Sequence, residues 1–365
     1  MGDAELRAVS RVFDSGWLGM GSEVSEFEER ICSYLGAEHA VAVCNGTGAL
    51  FLALDSIGLG QGDEVIVPSL TYVASVQAIT ATGAVPVFCE VDQRDLNIDV
   101  ADAARRVTER TRAIMPVHFR GMPCDMDGVL ALADREGLRV VEDAAHAFGS
   151  HHKGRAVGSF GDLTCFSFDP IKPVTCGEGG AVLTADGKLA ELMQRKRILG
   201  IDRDTLSRYQ NRRSWEYDVL DQGYRLHMSN INAAIGLAQM DRIEELRESR
   251  TRIARKYDEE LRGLRLLRTI DFDYDGSCPF MYIVRVERDR AGLMAHLRER
   301  EVGSGIHYIP AHTFTLYRKS ATSLPVTEML YDQILTLPLF PDMTREEQTV
   351  VVNALREWDE SRATG

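Results

Sequence analysis

The stretch LTCFSFDPIKPVTCGEGGAVLT, residues 163–184, decides how the rest of the chain is read. Two apolar runs, 163–168 and 180–184, bracket a loop with one lysine, Lys172, caught between Pro170 and Pro173. Proline has no N–H to give a helix and pushes the residue before it out of the helical region, so this loop does not close into a helix. Parallel neighbours need a long crossover, usually a helix. The two runs lack one, so one of them can be antiparallel to the rest of its sheet.

Upstream the pattern is different. Apolar runs AVAVC (40–44), EVIVP (64–68), VPVFCEV (85–91), RAIMPVH (112–118) and LRVVED (138–143) alternate with helix-length segments at 48–58, 71–82, 99–109 and 125–136. Runs apolar on both faces suit strands covered by helices on both sides. The repeated strand–helix order predicts an α/β domain with a mainly parallel sheet of about seven strands. From Ser229, a plausible N-cap, one long amphipathic helix is expected over about 229–262. Beyond it PFMYIVRVE, AGLMAHLRER and GSGIHYIP read as strand, helix and strand, with a final helix near 343–358. The expected organisation is an arm over 1–20, a large domain over 21–240 and a smaller C-terminal α/β domain over 241–365.

A net charge of -13 argues against a nucleic-acid partner, which needs clustered Lys and Arg on one face. It leaves room for a small anion in a local positive pocket. With 44% hydrophobic and 27% charged residues the composition is that of a soluble globular protein. The 7 cysteines are odd in number and contain no C-x-x-C pair, which suits reduced thiols in a cytoplasm. The charged N-terminus MGDAELRAVSRVF is not a signal peptide, and no apolar run reaches membrane-span length, so no membrane partner is expected.

Ligands of open α/β sheets bind beyond the carboxyl ends of strands. After AVAVC comes NGTGAL, Asn45 to Leu50, running into a helix. Small residues there either make a tight turn or expose N–H groups to an anion, with Thr47 adding a hydroxyl. After LRVVED, Asp143 is either a helix N-cap or the partner of a protonated ring nitrogen; His146 follows one turn later. His146, His151 and His152 match no common zinc spacing, and no metal is expected. Ser167 alternates with Phe166 and Phe168 and points to the opposite face. Lys172 is either a solvated loop lysine or one desolvated enough to attack a carbonyl as a neutral amine. An anion cradle, a strand-end acid and a loop lysine on one sheet are the parts pyridoxal 5'-phosphate requires: a phosphate site, a partner for its pyridinium and an amine for its aldehyde.

Here the chain resembles the DegT/DnrJ/EryC1/StrS family of sugar aminotransferases, of the aspartate aminotransferase fold (fold type I). The matching stretches include EFEERICSYLGAEHAVAVCNGTGALFLAL, GDEVIVPSLTYVAS, VVEDAAHAFGSHHKGRAVGSFGD, FSFDPIKPVTCGEGGAVLT and GIHYIPAH, in order along nearly the whole chain. The resemblance implies that Lys172 forms the Schiff base and shuttles the substrate proton, and that Asp143 pairs with the pyridinium nitrogen. Tyr72 would stack on the ring, Thr47, Gly48 and Ser167 would hold the phosphate, and His146 would contact the ring oxygen. Lysine at 172 separates the chain from relatives that carry histidine there and act as sugar dehydratases.

One departure concerns Arg225, in GYRLHMSNINAA, where the family often has an asparagine that reaches the neighbouring subunit's phosphate. Arginine supplies that contact with a full charge, or it lies on the surface. The resemblance implies a homodimer with shared active sites, a nucleotide-linked keto sugar as acceptor and glutamate or glutamine as donor. His307, Tyr308 and His312 belong to the family's substrate-side motif, or pack a strand and turn. The basic stretch 195–213, RKRILGIDRDTLSRYQNRR, either meets a diphosphate or is solvated at a dimer edge. A keto-cyclitol aminotransferase, a pyridoxal-dependent lyase acting on sugars and a non-catalytic sensory or scaffold protein are the competing readings.

Overall fold

The computed structural model describes residues 1–202, 217–318 and 322–363. Seven strands form the main sheet: β1 (His39–Val43), β2 (Glu64–Pro68), β3 (Val85–Cys89), β4 (Thr111–Ile114), β5 (Arg139–Asp143), β8 (Leu163–Ser167) and β9 (Gly180–Thr184). A two-stranded ribbon, β6 (His151–His152) and β7 (Arg155–Ala156), interrupts them in the chain. The strand order is β1-β9-β8-β5-β4-β2-β3. Strand β9 runs antiparallel to both its neighbours, and every other pairing in this sheet is parallel. The helix-free lysine loop thus does what its prolines predicted: it returns the chain as the antiparallel strand.

Alternation along each strand builds two cores. On β1, Val41 and Val43 face one side and Ala40 and Ala42 the other. Strand β9 sends Val182 to the first side and Ala181 and Leu183 to the second. Helices α3 (Gly46–Ser56) and α4 (Val73–Ala81) cover the first face. Helix α2 (Ser22–Leu35) and the helix Asn230–Met240 cover the second, where a side chain on Gly236 would collide with Phe27 at 2.7 Å. The sheet is therefore buried on both faces, and only its strand ends are open for chemistry.

The N-terminal residues are helical. Helix α1 (Asp3–Ser15) packs Ala8 and Val12 on Ala234 and Ala238. The long helix expected over 229–262 is two helices, Asn230–Met240 and Ile243–Leu261. Ser229 caps the first, as read, its hydroxyl accepting from the Asn232 N–H. The first helix is apolar and serves the main sheet. The second is amphipathic and buries Ile253, Tyr257 and Leu261 in a separate core with Leu355 and Trp358. One straight helix could not serve both. That separate core lies against a second sheet, antiparallel throughout, of β10 (Leu267–Thr269), β11 (Tyr282–Val286) and β12 (Ile334–Leu337).

GSGIHYIP, expected as a strand, forms only an isolated bridge between Gly305 and Thr336. The third strand of the small sheet is ILTL, at 334–337, instead. Tied to β12 at Gly305, the extended segment is free to run towards the main sheet, where Ala311 N–H donates to the Ser69 carbonyl. That course carries His307 and Tyr308 to the strand ends.

Candidate active site

Four strand ends and the 303–312 segment surround a cavity of about 460 Å³. Asn45–Thr47 reach it from β1, Thr71 and Tyr72 from β2, Asp143 and His146 from β5, Ser167 and Lys172 from β8, and His307 and Tyr308 from the C-terminal segment. A larger groove of about 910 Å³ lies between the helices Ile243–Leu261 and Arg345–Ala363. Its lining is mostly charged, and none of the residues singled out in the sequence reaches it.

Each corner is shaped by its local sequence. Asn45 is the N-cap of α3, its Oδ1 accepting the Gly48 N–H at 2.7 Å. Gly46 follows, and a Cβ there would sit 2.7 Å from the Cβ of Ser167, so only glycine lets this turn close on β8. The first N–H groups of a helix have no partner within it. Because Asn45 takes that of Gly48, the amides of Gly46 and Thr47 remain for an anion, joined by the hydroxyls of Thr47 and Ser167 in the cavity wall. Gly48, expected at the phosphate, is buried behind the cap and does not line the cavity.

Asp143 is buried, with both carboxylate oxygens bonded. Oδ2 accepts from the Ser75 hydroxyl at 2.6 Å, and Oδ1 accepts from the Ala145 N–H at 3.1 Å. Lys172 is half-buried, and its Nζ lies 4.4 Å from the ring centroid of Phe280. Burial lowers its pKa to about 8, with Asp143 and Asp169 acting against that shift. A sizeable neutral fraction at mild pH is what a nucleophilic amine needs.

The other face of the site is aromatic. His146 stacks on Phe280 at 4.3 Å and 22°. Its Nε2 is 3.4 Å from the Tyr308 hydroxyl, and its buried Nδ1 has no hydrogen-bond partner among the described residues. Burial, and then the charges of Lys172 and His307, push the imidazole well below the usual histidine range, so it is neutral. Tyr72 caps α4 and is 55% exposed, its ring 5.4 Å from that of Tyr308. His307 is held by Thr336 at 2.9 Å, and burial lowers its pKa.

Two expectations are displaced, those for His312 and for the basic stretch, while Arg225 keeps both of its readings. His312 does not reach the cavity: it is buried, with Nδ1 2.6 Å from Ser69 Oγ and Nε2 3.2 Å from Glu328. One ring nitrogen ties the C-terminal segment to the end of β2 at Ser69, and the other ties it to the helix Pro325–Gln333 through Glu328. Arg225 is exposed and is not in the wall of its own subunit's cavity. In the basic stretch, Arg195 pairs with Asp221, Lys196 with Asp55 and Arg197 with Glu28, which leaves these three cations committed inside the fold. Residues 203–213 of that stretch lie outside the described residues.

The sequence profile of the DegT/DnrJ/EryC1/StrS aminotransferase family matches residues 1–356. The chain belongs to that family. It is 38% identical over 368 residues to the spore coat polysaccharide biosynthesis protein SpsC of Bacillus subtilis (strain 168), covering 98% of this chain and 95% of that one. The solved structure of S. venezuelae DesV is similar at 37% identity and a TM-score of 0.91, over 98% of this chain and 94% of that one. Spr1654 of Streptococcus pneumoniae, in its PMP form, gives 29% identity and a TM-score of 0.93 over 99% of this chain and 98% of that one. Spr1654 has also been solved in a PLP form.

The protein is therefore a pyridoxal-phosphate-dependent aminotransferase of fold type I, and the scaffold reading is set aside. The residues present fit the cofactor: a glycine-shaped cradle at Gly46, an unpartnered buried nitrogen on His146 and a desolvated amine on Lys172 face one space. Among the described residues no helix is long and apolar enough to cross a membrane.

Sequence reading missed several groups here. Ser75, four positions after Thr71, is hidden because serine in a helix reads as filler. Phe280 is distant in sequence from His146 and Lys172, against which it packs. Asp169 and Glu178 also line the cavity and flank Lys172 in the very stretch that carries it, so their proximity was legible.

Proposed function

We propose that this aminotransferase moves an amino group from glutamate, or glutamine, to the keto group of a nucleotide-linked deoxysugar. The observation that carries the reading is the convergence of a buried strand-end acid, an anion cradle and a desolvated lysine amine in one cavity. The names of the relatives support the acceptor: SpsC belongs to polysaccharide biosynthesis, and that of Spr1654 points to a sugar aminotransferase.

The bound cofactor supplies an aldehyde to carry the amino group and an electron-poor ring to stabilise the negative charge that develops on carbon. In this reading the neutral amine of Lys172 would hold the cofactor through its aldehyde, and the same amine would carry the proton between the bound substrate's carbon and the cofactor's C4' carbon in each half of the reaction. Asp143 holds the ring nitrogen in its protonated form. Thr47 and Ser167, with the N-terminus of α3, hold the phosphate, and Gly48 contributes only by keeping the turn compact. Tyr72 covers one face of the ring. His146, being neutral, donates a hydrogen bond to the ring oxygen from one nitrogen. His307 and Tyr308 face the sugar.

The exposure of Arg225 and its absence from the cavity fit a phosphate contact made to a second copy, and so a homodimer with shared sites. The seven free cysteines favour a cytoplasmic setting. The test is a two-stage assay. Glutamate added alone should bleach the yellow holoenzyme. A panel of keto-sugar nucleotides and keto-cyclitols should then restore the colour, and only sugar nucleotides should do so at low concentration. Restoration by a cyclitol alone would overturn the acceptor assignment.

A further inference from the structure

The site contains a short chain of hydroxyls that the chemistry above does not use. Thr71, Ser75 and Asp143 are buried at 1%, 0% and 5% exposure. Ser75 Oγ lies 2.6 Å from Asp143 Oδ2, and Thr71 Oγ1 lies 2.8 Å from Ser75 Oγ. An ionised carboxylate only accepts, and a hydroxyl has one proton to give. If that proton goes to Asp143, Ser75 must accept from Thr71, so the chain has a direction: Thr71 to Ser75 to Asp143. The alternative acceptor for Ser75, the Tyr72 carbonyl, is more distant at 3.2 Å and uncharged. Hydrogen bonds to a charged group in a buried setting are the stronger kind.

The placement matters as much as the bond. Ser75 is in the first turn of α4, the turn that begins at Tyr72, whereas Asp143 ends β5. With Ala145 N–H on Oδ1, the Ser75 bond leaves the carboxylate no free rotation. The same bond sets the distance between the helix carrying the stacking aromatic and the strand carrying the acid.

We propose that Thr71 and Ser75 are positioning residues, an oriented hydroxyl relay that holds the Asp143 carboxylate in line with the cofactor's ring nitrogen. This rests on the reading that Asp143 partners that nitrogen. The relay acts on the nitrogen alone and so discriminates between ligands that have it and ligands that do not.

The test compares two ligands on the full-length apoprotein: pyridoxamine phosphate, and its deaza analogue in which C–H replaces the ring nitrogen. Neither needs the Lys172 amine. Dissociation constants are read by absorbance or fluorescence titration. Ser75→Ala should weaken pyridoxamine phosphate about tenfold, as loss of a bond to a charged group does, and leave the deaza analogue unchanged. Thr71→Val, which keeps the shape, should cost about threefold for the first ligand only. Because Thr71 acts through Ser75, its substitution should add nothing in the Ser75→Ala background. Ser75→Thr should retain the ratio of the two constants.

Equal weakening of both ligands, additive losses in the double variant, or no loss at all would overturn the relay. Should Ser75→Ala fail to fold, as judged by circular dichroism, the ratio in Thr71→Val decides alone. Asp143→Ala separates the two levels. If it keeps discrimination between the ligands, the placement of Asp143 itself falls. If it loses discrimination while Ser75→Ala and Thr71→Val keep it, only the relay falls.

Discussion

The two charged corners of the cavity are built in opposite ways. At Asp143 both oxygens are bonded, one to a helix hydroxyl and one to a backbone amide, and the acid is anchored by two elements at once. At Lys172 the amine makes no hydrogen bond or ion pair among the described residues and rests against the face of Phe280. In the proposed function the acid would serve one ring atom of the cofactor throughout and so would have to stay fixed. The lysine, in the same proposed function, would have to let go of the cofactor, carry a proton and return. Strong bonds suit the first task and a weak cation–π contact the second, since such contacts are worth only about 0.5–2 kcal/mol.

That contrast is broken most severely by Lys172→Ala. Turnover should fall by at least roughly 10⁴-fold, the scale of losing a nucleophile and proton carrier, with the fold intact by circular dichroism. Retained activity would mean that the free amine is not the working group. Asp143→Ala attacks the fixed corner. It should weaken cofactor binding by roughly 10- to 100-fold and slow turnover as well, since a charge-assisted bond is lost. Unchanged kinetics would give the ring nitrogen another partner.

A milder perturbation is pH. With its pKa at about 8, Lys172 should capture cofactor at a rate that climbs about tenfold per pH unit below 8 and then levels off. A rise continuing towards the ordinary lysine value of 10.5 would contradict the desolvation. The sign carries over to stability. Between about 8 and 10.5 the unfolded chain holds a proton that the folded one has lost, so the apoprotein should gain stability as pH rises through that window. The smallest effect is expected of Phe280→Leu, which removes the ring beneath the amine. The capture midpoint should move by less than about one pH unit, and a larger shift would make the aromatic contact a main anchor.

The same contrast explains what the sequence could announce. Strands buried on both faces read as unbroken Val- and Ile-rich runs, and chemistry at their ends is local in sequence. Asp143, Ser167 and the turn at Gly46 and Thr47 were therefore legible, as was the antiparallel strand behind the two prolines. Phe280 and the Ser75 hydroxyl were not, because nothing near them in the chain states what they touch. GSGIHYIP was misread because an extended segment has strand-like composition whether or not a neighbour pairs with it. The two-helix break after Met240 was hidden because amphipathic periodicity persists across it while the core being served changes. Gly48 and His312 were placed one step too near the chemistry: both secure the elements that carry the groups in contact with the cavity.

The central claim is that the ε-amine of Lys172 is the group that holds pyridoxal phosphate. Borohydride reduction of the holoenzyme, followed by peptide mapping, tests it most directly. The pyridoxyl mass should appear on the peptide spanning Cys165–Thr184, at Lys172 and nowhere else. A label on another lysine, with this peptide unmodified, would contradict it.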